Sequence, residues 1–231
     1  MKNFDYLEKN YNEVMADIAA AEAKYQRHIT LVCVTKSGSD EELAELLRLG
    51  ATDIGENRPQ ELTRRAKLLS EMGYTPTLHQ IGHLQKNKVK LVSGTAHLVH
   101  SLDSISLAEE LDKQAEKLGI DIPVLMEINC AEEEAKGGIY PAEAEDFFIS
   151  LKKFPRLQVR GIMTMGPNLE DKEQLRPYFK NTKEIFDKIH TRYGFCGEPI
   201  LSMGMSESYK IAIEEGANLV RIGRRLFKKE S

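Results

Sequence analysis

The sequence predicts an α/β protein: a single-domain (β/α)8 TIM-like barrel with an extra N-terminal helix. Short apolar segments alternate with amphipathic segments along the chain, and this order requires parallel strands joined by crossover helices. Eight such units fall within about 200 residues, which suits a closed barrel better than an open doubly wound sheet. No GxGxxG motif opens a helix after a strand, which weakens the dinucleotide-binding alternative.

The 231 residues are expected to form one domain. Residues 1–27 are predicted as the N-terminal helix, because a helical pattern runs from about Phe4 to Arg27. Residues 28–231 are predicted as the barrel. No segment rich in Gly, Ser or Pro interrupts the chain as a linker would.

The predicted strands are short apolar runs bounded by turn residues. They cover Leu31–Thr35, Asp53–Glu56, Leu78–Ile81, Leu98–Ser101, Val124–Asn129, Val159–Met163, Ile200–Met203 and Leu219–Ile222. Between them the helical period predicts helices over Glu41–Leu49, Pro59–Leu69, Leu107–Leu118, Ala142–Lys153 and Gln174–Arg192. Pro59 and Pro141 lie where a first helical turn tolerates proline.

Composition excludes several classes of function. A net charge of −4, from 32 basic and 36 acidic residues, argues against nucleic acid or an anionic membrane as a partner. No apolar run approaches the length of a membrane span, and the N-terminus does not resemble a signal peptide, so we expect a cytoplasmic protein with a small-molecule ligand. Cys33, Cys130 and Cys196 are too far apart for a zinc motif or a disulfide framework. His79 and His83 flank a strand and lack the shared face of a helical metal pair, so no metal is expected.

Lys36 stands just after the first predicted strand, and Ser37 to Asp40 then begin a helix. The carboxyl ends of strands carry the chemistry of α/β barrels. An amine held there in a partly desolvated site loses its proton more easily and can condense with an aldehyde. Lys36 is therefore the candidate reactive residue. The alternative is a lysine that merely turns outward into water.

The loops after the seventh and eighth predicted strands contain the components of a phosphate site. Gly204 and Gly223 let an anion approach the backbone, and Ser206 can donate a hydrogen bond. In this fold these two loops recurrently bind phosphate through backbone N–H groups. The alternative is that the glycines only turn the chain. His83, after the third predicted strand, is expected to line the same pocket.

A set of motifs along nearly the whole chain resembles a known family. They are Val34-Thr35-Lys36, Gly55-Glu56-Asn57 with Gln60-Glu61, Ile81 to Lys88, Gly161-Ile162-Met163, Leu201 to Ser206, Ala212-Ile213 with Gly216, and Val220 to Gly223. In this order they resemble the pyridoxal 5'-phosphate (PLP) homeostasis proteins of the PROSC or YggS type. That family is related to the N-terminal barrel of alanine racemase.

The resemblance implies a cofactor-binding set of Lys36, Asn57, His83, Met205, Ser206, Arg221, Gly223 and Arg224. Lys36 would form an internal aldimine with PLP, and Ser206 with the backbone at positions 223 and 224 would hold the phosphate. Arg221 would face the pyridine nitrogen and disfavour its protonation, which argues against transamination. The chain departs from the family at Arg58, where Tyr is often found, and at Arg224, where Thr is usual and a hydroxyl contact is lost.

The implied function is that of a carrier that holds PLP covalently but reversibly and takes part in intracellular PLP homeostasis, with apo PLP-dependent enzymes as possible recipients. Alanine racemases have a second domain and a tyrosine base. This chain ends soon after Gly223, so we expect neither, and we expect a monomer that is not primarily an enzyme. The alternative is an amino-acid racemase or another weak PLP enzyme that uses Lys36 as its base. A protein–protein adaptor is a third class, which no large apolar stripe supports.

Overall fold

The computed structural model describes residues 4–229, within which eight parallel strands close into a barrel. The strands are β1 (Thr30–Val34), β2 (Asp53–Glu56), β3 (Thr77–Gln80), β4 (Leu98–Leu102), β5 (Ile122–Ile128), β6 (Leu157–Thr164), β7 (Ile200–Ser202) and β8 (Leu219–Ile222). β1 pairs with β2 on one side and with β8 on the other, which closes the ring. The predicted fold class is confirmed, and each predicted strand overlaps an observed one.

Helices surround the barrel. They are α1 (Asp5–Tyr25), α2 (Asp40–Arg48), α3 (Pro59–Glu71), α4 (Val89–Val92), α5 (Ile105–Leu118), α6 (Ala144–Leu151), α7 (Arg176–Tyr193) and α8 (Tyr209–Glu214). Local sequence explains where several begin. Ser39 and Glu42 form a reciprocal capping box at the start of α2, and Pro59 occupies the first turn of α3.

The N-terminal helix α1 takes the place of an outer helix. Residues 224–227 after β8 form a turn, and no helix follows β8 within the described part of the chain. α1 packs against α2, and Asp17 on α1 binds Tyr209 and Lys210 of α8. It therefore covers the barrel between the first and last crossover helices. Residues 1–3 and 230–231 of the predicted domain lie outside the described residues.

The barrel interior has an apolar layer and a polar layer. The apolar cluster consists of Val32, Leu98, Leu125, Met163 and Leu219. Because side chains two residues apart share a face of a strand, the next inward positions on β4, β5 and β8 are His100, Glu127 and Arg221, and all three are buried. Polar groups therefore fill the interior on the carboxyl side of the apolar cluster.

Across residues 4–229, none of the helices combines the length and the apolar character that a membrane span needs.

Candidate functional site

A cavity of about 240 Å³ opens at the carboxyl ends of the strands. The eight residues predicted for the site all line it: Lys36, Asn57, His83, Met205, Ser206, Arg221, Gly223 and Arg224. Neighbouring strand ends approach closely here. A Cβ on Gly82, after β3, would lie 2.4 Å from the carbonyl oxygen of Asn57, after β2, so glycine is needed for this contact. The barrel thus brings together residues that are up to 188 positions apart in the chain.

Lys36 lies in the turn between β1 and α2, and its side chain is exposed. The prediction that the Lys36 amine is partly desolvated is therefore wrong. The reason is that the chain leaves the barrel after Thr35, which is fully buried, so the next side chain projects from the rim. An amine at this position is open both to the cavity and to molecules that approach from solution.

Arg65, on α3, anchors the turn that carries Lys36. Its Nη2 donates hydrogen bonds to the carbonyl oxygens of Thr35 and Gly38, at 3.2 and 2.7 Å. Its Nε lies 2.9 Å from Oε1 of Glu56, which also accepts a hydrogen bond from the Thr35 hydroxyl. One buried guanidinium therefore binds the backbone on both sides of Lys36.

The loops after β7 and β8 form a cup of backbone N–H groups. The Ser206 Oγ accepts hydrogen bonds from the amides of Gly223 and Arg225, both at 3.3 Å, and its own proton remains available to a ligand. A Cβ on Gly223 would lie 2.9 Å from the carbonyl oxygen of Val34. Amides that converge on one oxygen atom are the kind of arrangement that binds anions, so the cup suits a phosphate.

The Arg224 side chain is at the rim of this cup. It is 75% exposed, and its Nη2 lies 3.6 Å from Oε1 of Glu207. An exposed ion pair of this kind contributes little stability. Arg224 therefore supplies a mobile positive charge beside the cup, in contrast to the buried groups that shape it.

Arg221, on β8, places a buried guanidinium at the floor of the cavity. Nη1 donates to the Ser202 Oγ at 2.5 Å, and Nη2 donates to the carbonyl oxygen of Thr164 at 2.9 Å. Burial lowers the pKa of Arg221 to about 10, although nearby Glu127 opposes the shift, so the group stays charged at neutral pH. Two of its five N–H groups are engaged, which leaves donors for a ligand acceptor.

Glu127, at the end of β5, faces an adjoining cavity of about 390 Å³. Burial raises the pKa of its carboxyl to about 7, the charge of Asp103 adds to the shift, and Arg221 opposes it. Met165 lines both cavities, so the two are neighbours. A carboxyl group that can change its protonation state near neutral pH therefore lies beside the central cavity.

Comparison with known proteins gives the family. Residues 5–230 match the alanine racemase N-terminal domain family. The chain is 41% identical over 197 residues to a pyridoxal phosphate homeostasis protein of Aquifex aeolicus, covering 85% of each chain. PipY of Synechococcus elongatus, solved with PLP bound, is 25% identical with a TM-score of 0.84, over 96% of this chain and 100% of that one. An unknown protein from Bifidobacterium adolescentis is 32% identical with a TM-score of 0.86, over 96% and 95%.

The chain belongs to the pyridoxal phosphate homeostasis protein family. The resemblance found from its motifs is thereby confirmed. Arg58 is exposed and is not among the residues that line the central cavity.

Sequence reasoning missed several residues of the site in this family member. Glu127 and Met165 lie at or just after strand ends, where the rule that found Lys36 also applies, but they were not included in the predicted site. Arg65 gives no such signal, because it comes from the middle of α3. His79 does not approach His83, since His79 lies inside the barrel and His83 at its rim. Residues 4–229 contain no group of three or more His, Cys, Asp or Glu side chains suited to a metal ion.

Proposed function

We propose that this protein binds PLP in the cavity at the carboxyl ends of the strands and takes part in PLP homeostasis as a carrier. The observation that supports this most strongly is the convergence of an amine, a cup of amides and a buried guanidinium on one cavity. The printed names of the relatives, and PipY solved with PLP bound, support the same ligand.

The residues fit the three chemical groups of PLP. Lys36 offers an amine to the aldehyde, and the Ser206 hydroxyl, which the amides of Gly223 and Arg225 hold in place, offers a proton to the phosphate. Arg221 offers a charged donor to the pyridine nitrogen. An added Cβ at Gly223 would crowd the backbone of β1 and distort the cup, which fits a site built for close approach of an anion.

Bound PLP supplies an aldehyde that reacts with amines and a ring that can withdraw electrons. The residues of this chain favour holding the cofactor. Arg221 would offer a charged donor to the ring nitrogen and disfavour its protonation, which would weaken electron withdrawal. Lys36 is exposed, so its amine would stay accessible from solution, which would favour reversible binding. We propose apo PLP-dependent enzymes as recipients, and a cytoplasmic monomer as the active form.

The test is a titration of the purified protein with PLP, followed by visible absorbance and equilibrium dialysis. Wild type should develop the band of a covalently bound PLP. Lys36→Ala should lose the band and bind PLP more weakly, whereas Lys136→Ala should keep the band, because Lys136 lines only the neighbouring cavities. Loss of the band in Lys136→Ala alone would contradict the assignment.

One observation favours a second candidate, a weak PLP enzyme with Lys36 as its base. Glu127, whose pKa burial raises to about 7, lines the neighbouring cavity and is a second group that can accept or release a proton. Incubation with L-alanine in deuterated water distinguishes the two. Racemisation at a rate near the ~10 per second typical of enzymes would favour the enzyme, and its absence would favour the carrier.

A further inference from the structure

A line of hydrogen-bonded polar side chains crosses the barrel interior and ends at Arg221. Asp53 Oδ1 lies 2.9 Å from His79 Nε2, and His79 Nδ1 lies 2.9 Å from His100 Nε2. His100 Nδ1 lies 3.1 Å from the Ser202 Oγ, to which Arg221 Nη1 donates. The five residues come from five strands, and we call this set the interior relay.

The direction of each hydrogen bond in the interior relay follows from the chemistry of Arg221. A guanidinium only donates, so the Ser202 Oγ accepts from it. Among the described residues, His100 Nδ1 is the other group recorded within hydrogen-bond reach of this hydroxyl. The Ser202 proton therefore points to His100 Nδ1, which must be an acceptor.

The remaining directions follow in turn. Burial, with the nearby His79 and Arg221, holds the pKa of His100 well below its usual range, so its ring is neutral. With Nδ1 accepting, its proton is on Nε2 and is donated to His79 Nδ1. His79 must then carry its proton on Nε2 and donate it to Asp53. Although burial opposes it, hydrogen bonds from His79 and Thr52 keep the pKa of Asp53 below its usual range.

We propose that Asp53, His79, His100 and Ser202 are positioning residues that fix the guanidinium of Arg221 for an aromatic-nitrogen acceptor bound in the cavity. Every donor in the interior relay points from Arg221 toward Asp53, so the buried positive charge is joined to a carboxylate at the start of β2. The hydroxyl of Ser202 and the carbonyl of Thr164 engage both terminal nitrogens of Arg221. The plane of the guanidinium is thereby set, and its free N–H groups stay directed to one place.

This inference rests on the proposed binding of PLP, but its first test does not need the cofactor. In the full-length protein without PLP, nitrogen-resolved NMR should show two protected imidazole protons on Nε2 of neutral rings. One should disappear in His79→Gln and the other in His100→Gln. A proton on Nδ1 of His100, or a cationic His100 at neutral pH, would overturn the assigned directions.

The second test asks whether the interior relay acts through Arg221. PLP is compared with an analogue in which C–H replaces the ring nitrogen, using equilibrium dialysis. His100→Leu should weaken PLP binding about tenfold, the lower end expected for a hydrogen bond to a charged group, and should leave binding of the analogue nearly unchanged. His100→Gln should recover most of the affinity, because its amide can both accept and donate.

The outcomes separate the two proposals. Equal weakening of both ligands in His100→Leu, or no weakening of either, would overturn the positioning role. Failure of wild type to bind PLP would refute the proposed function, and the NMR result would still decide whether the interior relay exists as described.

Discussion

Arg65→Met should destabilise the protein far more than Arg64→Met, although the two arginines are neighbours on α3. The Arg65 guanidinium and its partner Glu56 have side chains that are only 5% and 2% exposed. Arg65 also binds the carbonyls of Thr35 and Gly38. Arg64 pairs with Asp40 and Glu61 at the surface, where the three side chains are 42–45% exposed.

The difference in burial determines how much stability each substitution should remove. Breaking a buried ion pair by removing one partner costs about 3–5 kcal/mol, because the other charge is left without compensation. Exposed pairs contribute about 0.2–1 kcal/mol. For a protein of this size each kcal/mol lowers Tm by about 2–4 °C. Arg65→Met should therefore lower Tm by roughly 6–20 °C, and Arg64→Met, which removes two exposed pairs, by less than about 8 °C.

Thermal and urea unfolding of the two variants provide the measurement. Adding Glu56→Gln to Arg65→Met should recover part of the loss, because the amide removes the buried charge and its oxygen can still accept the Thr35 proton. Equal Tm values for Arg65→Met and Arg64→Met would refute the reasoning that Arg65 holds the turn bearing Lys36.

Three further substitutions test the phosphate site, the buried carboxyl of Glu127 and the turn at Gly204. Ser206→Ala should weaken PLP binding about tenfold to a hundredfold, the range for a hydrogen bond to a charged group. Binding of pyridoxal, which has no phosphate, should be unchanged. Equal losses of affinity for both ligands in dialysis would place the phosphate elsewhere. Burial raises the pKa of Glu127 from 4.5 to about 7, so the folded protein binds this proton more tightly than the unfolded chain does. As the pH rises from about 5 to 8, the free energy of unfolding of wild type should therefore fall by up to about 3 kcal/mol relative to that of Glu127→Gln. A pH-independent difference in urea unfolding would contradict this. Gly204→Ala, which would bring its Cβ to 2.6 Å from that of Ala212, should cost more than about 1 kcal/mol. The loss of stability should be larger than in Gly50→Ala, where φ is also positive but nothing lies within 4 Å of the added Cβ. Equal free energies of unfolding for the two variants would contradict this.

The βα alternation in the sequence was sufficient to predict the barrel, because each apolar run had to form a buried parallel strand. Two helices escaped prediction. α4 and α8 have only 4 and 6 residues, too few for a helical period to appear. The extra helix α1 was predicted, but its position beside α2 and α8 was not. That position is open because no helix follows β8 in the described residues, and only the assembled fold reveals this.

The candidate site was predictable where its residues follow strands and hidden where they do not. Lys36 and Ser206 occupy strand-end loops, so position alone indicated them. His100 and Asp53 lie within strands, and their contact through His79 depends on closure of the barrel. Arg65 reaches the site from a helix. Local patterns carry no information about such contacts, because they join residues that only tertiary packing brings together.

To test whether Lys36 holds the cofactor, the protein is loaded with PLP and reduced with borohydride, and the modified lysine is mapped by mass spectrometry of peptides. We predict one stable adduct, on the peptide that contains Lys36, and its loss in Lys36→Ala. Absence of any adduct in wild type, or an adduct on another lysine such as Lys136, would contradict the account.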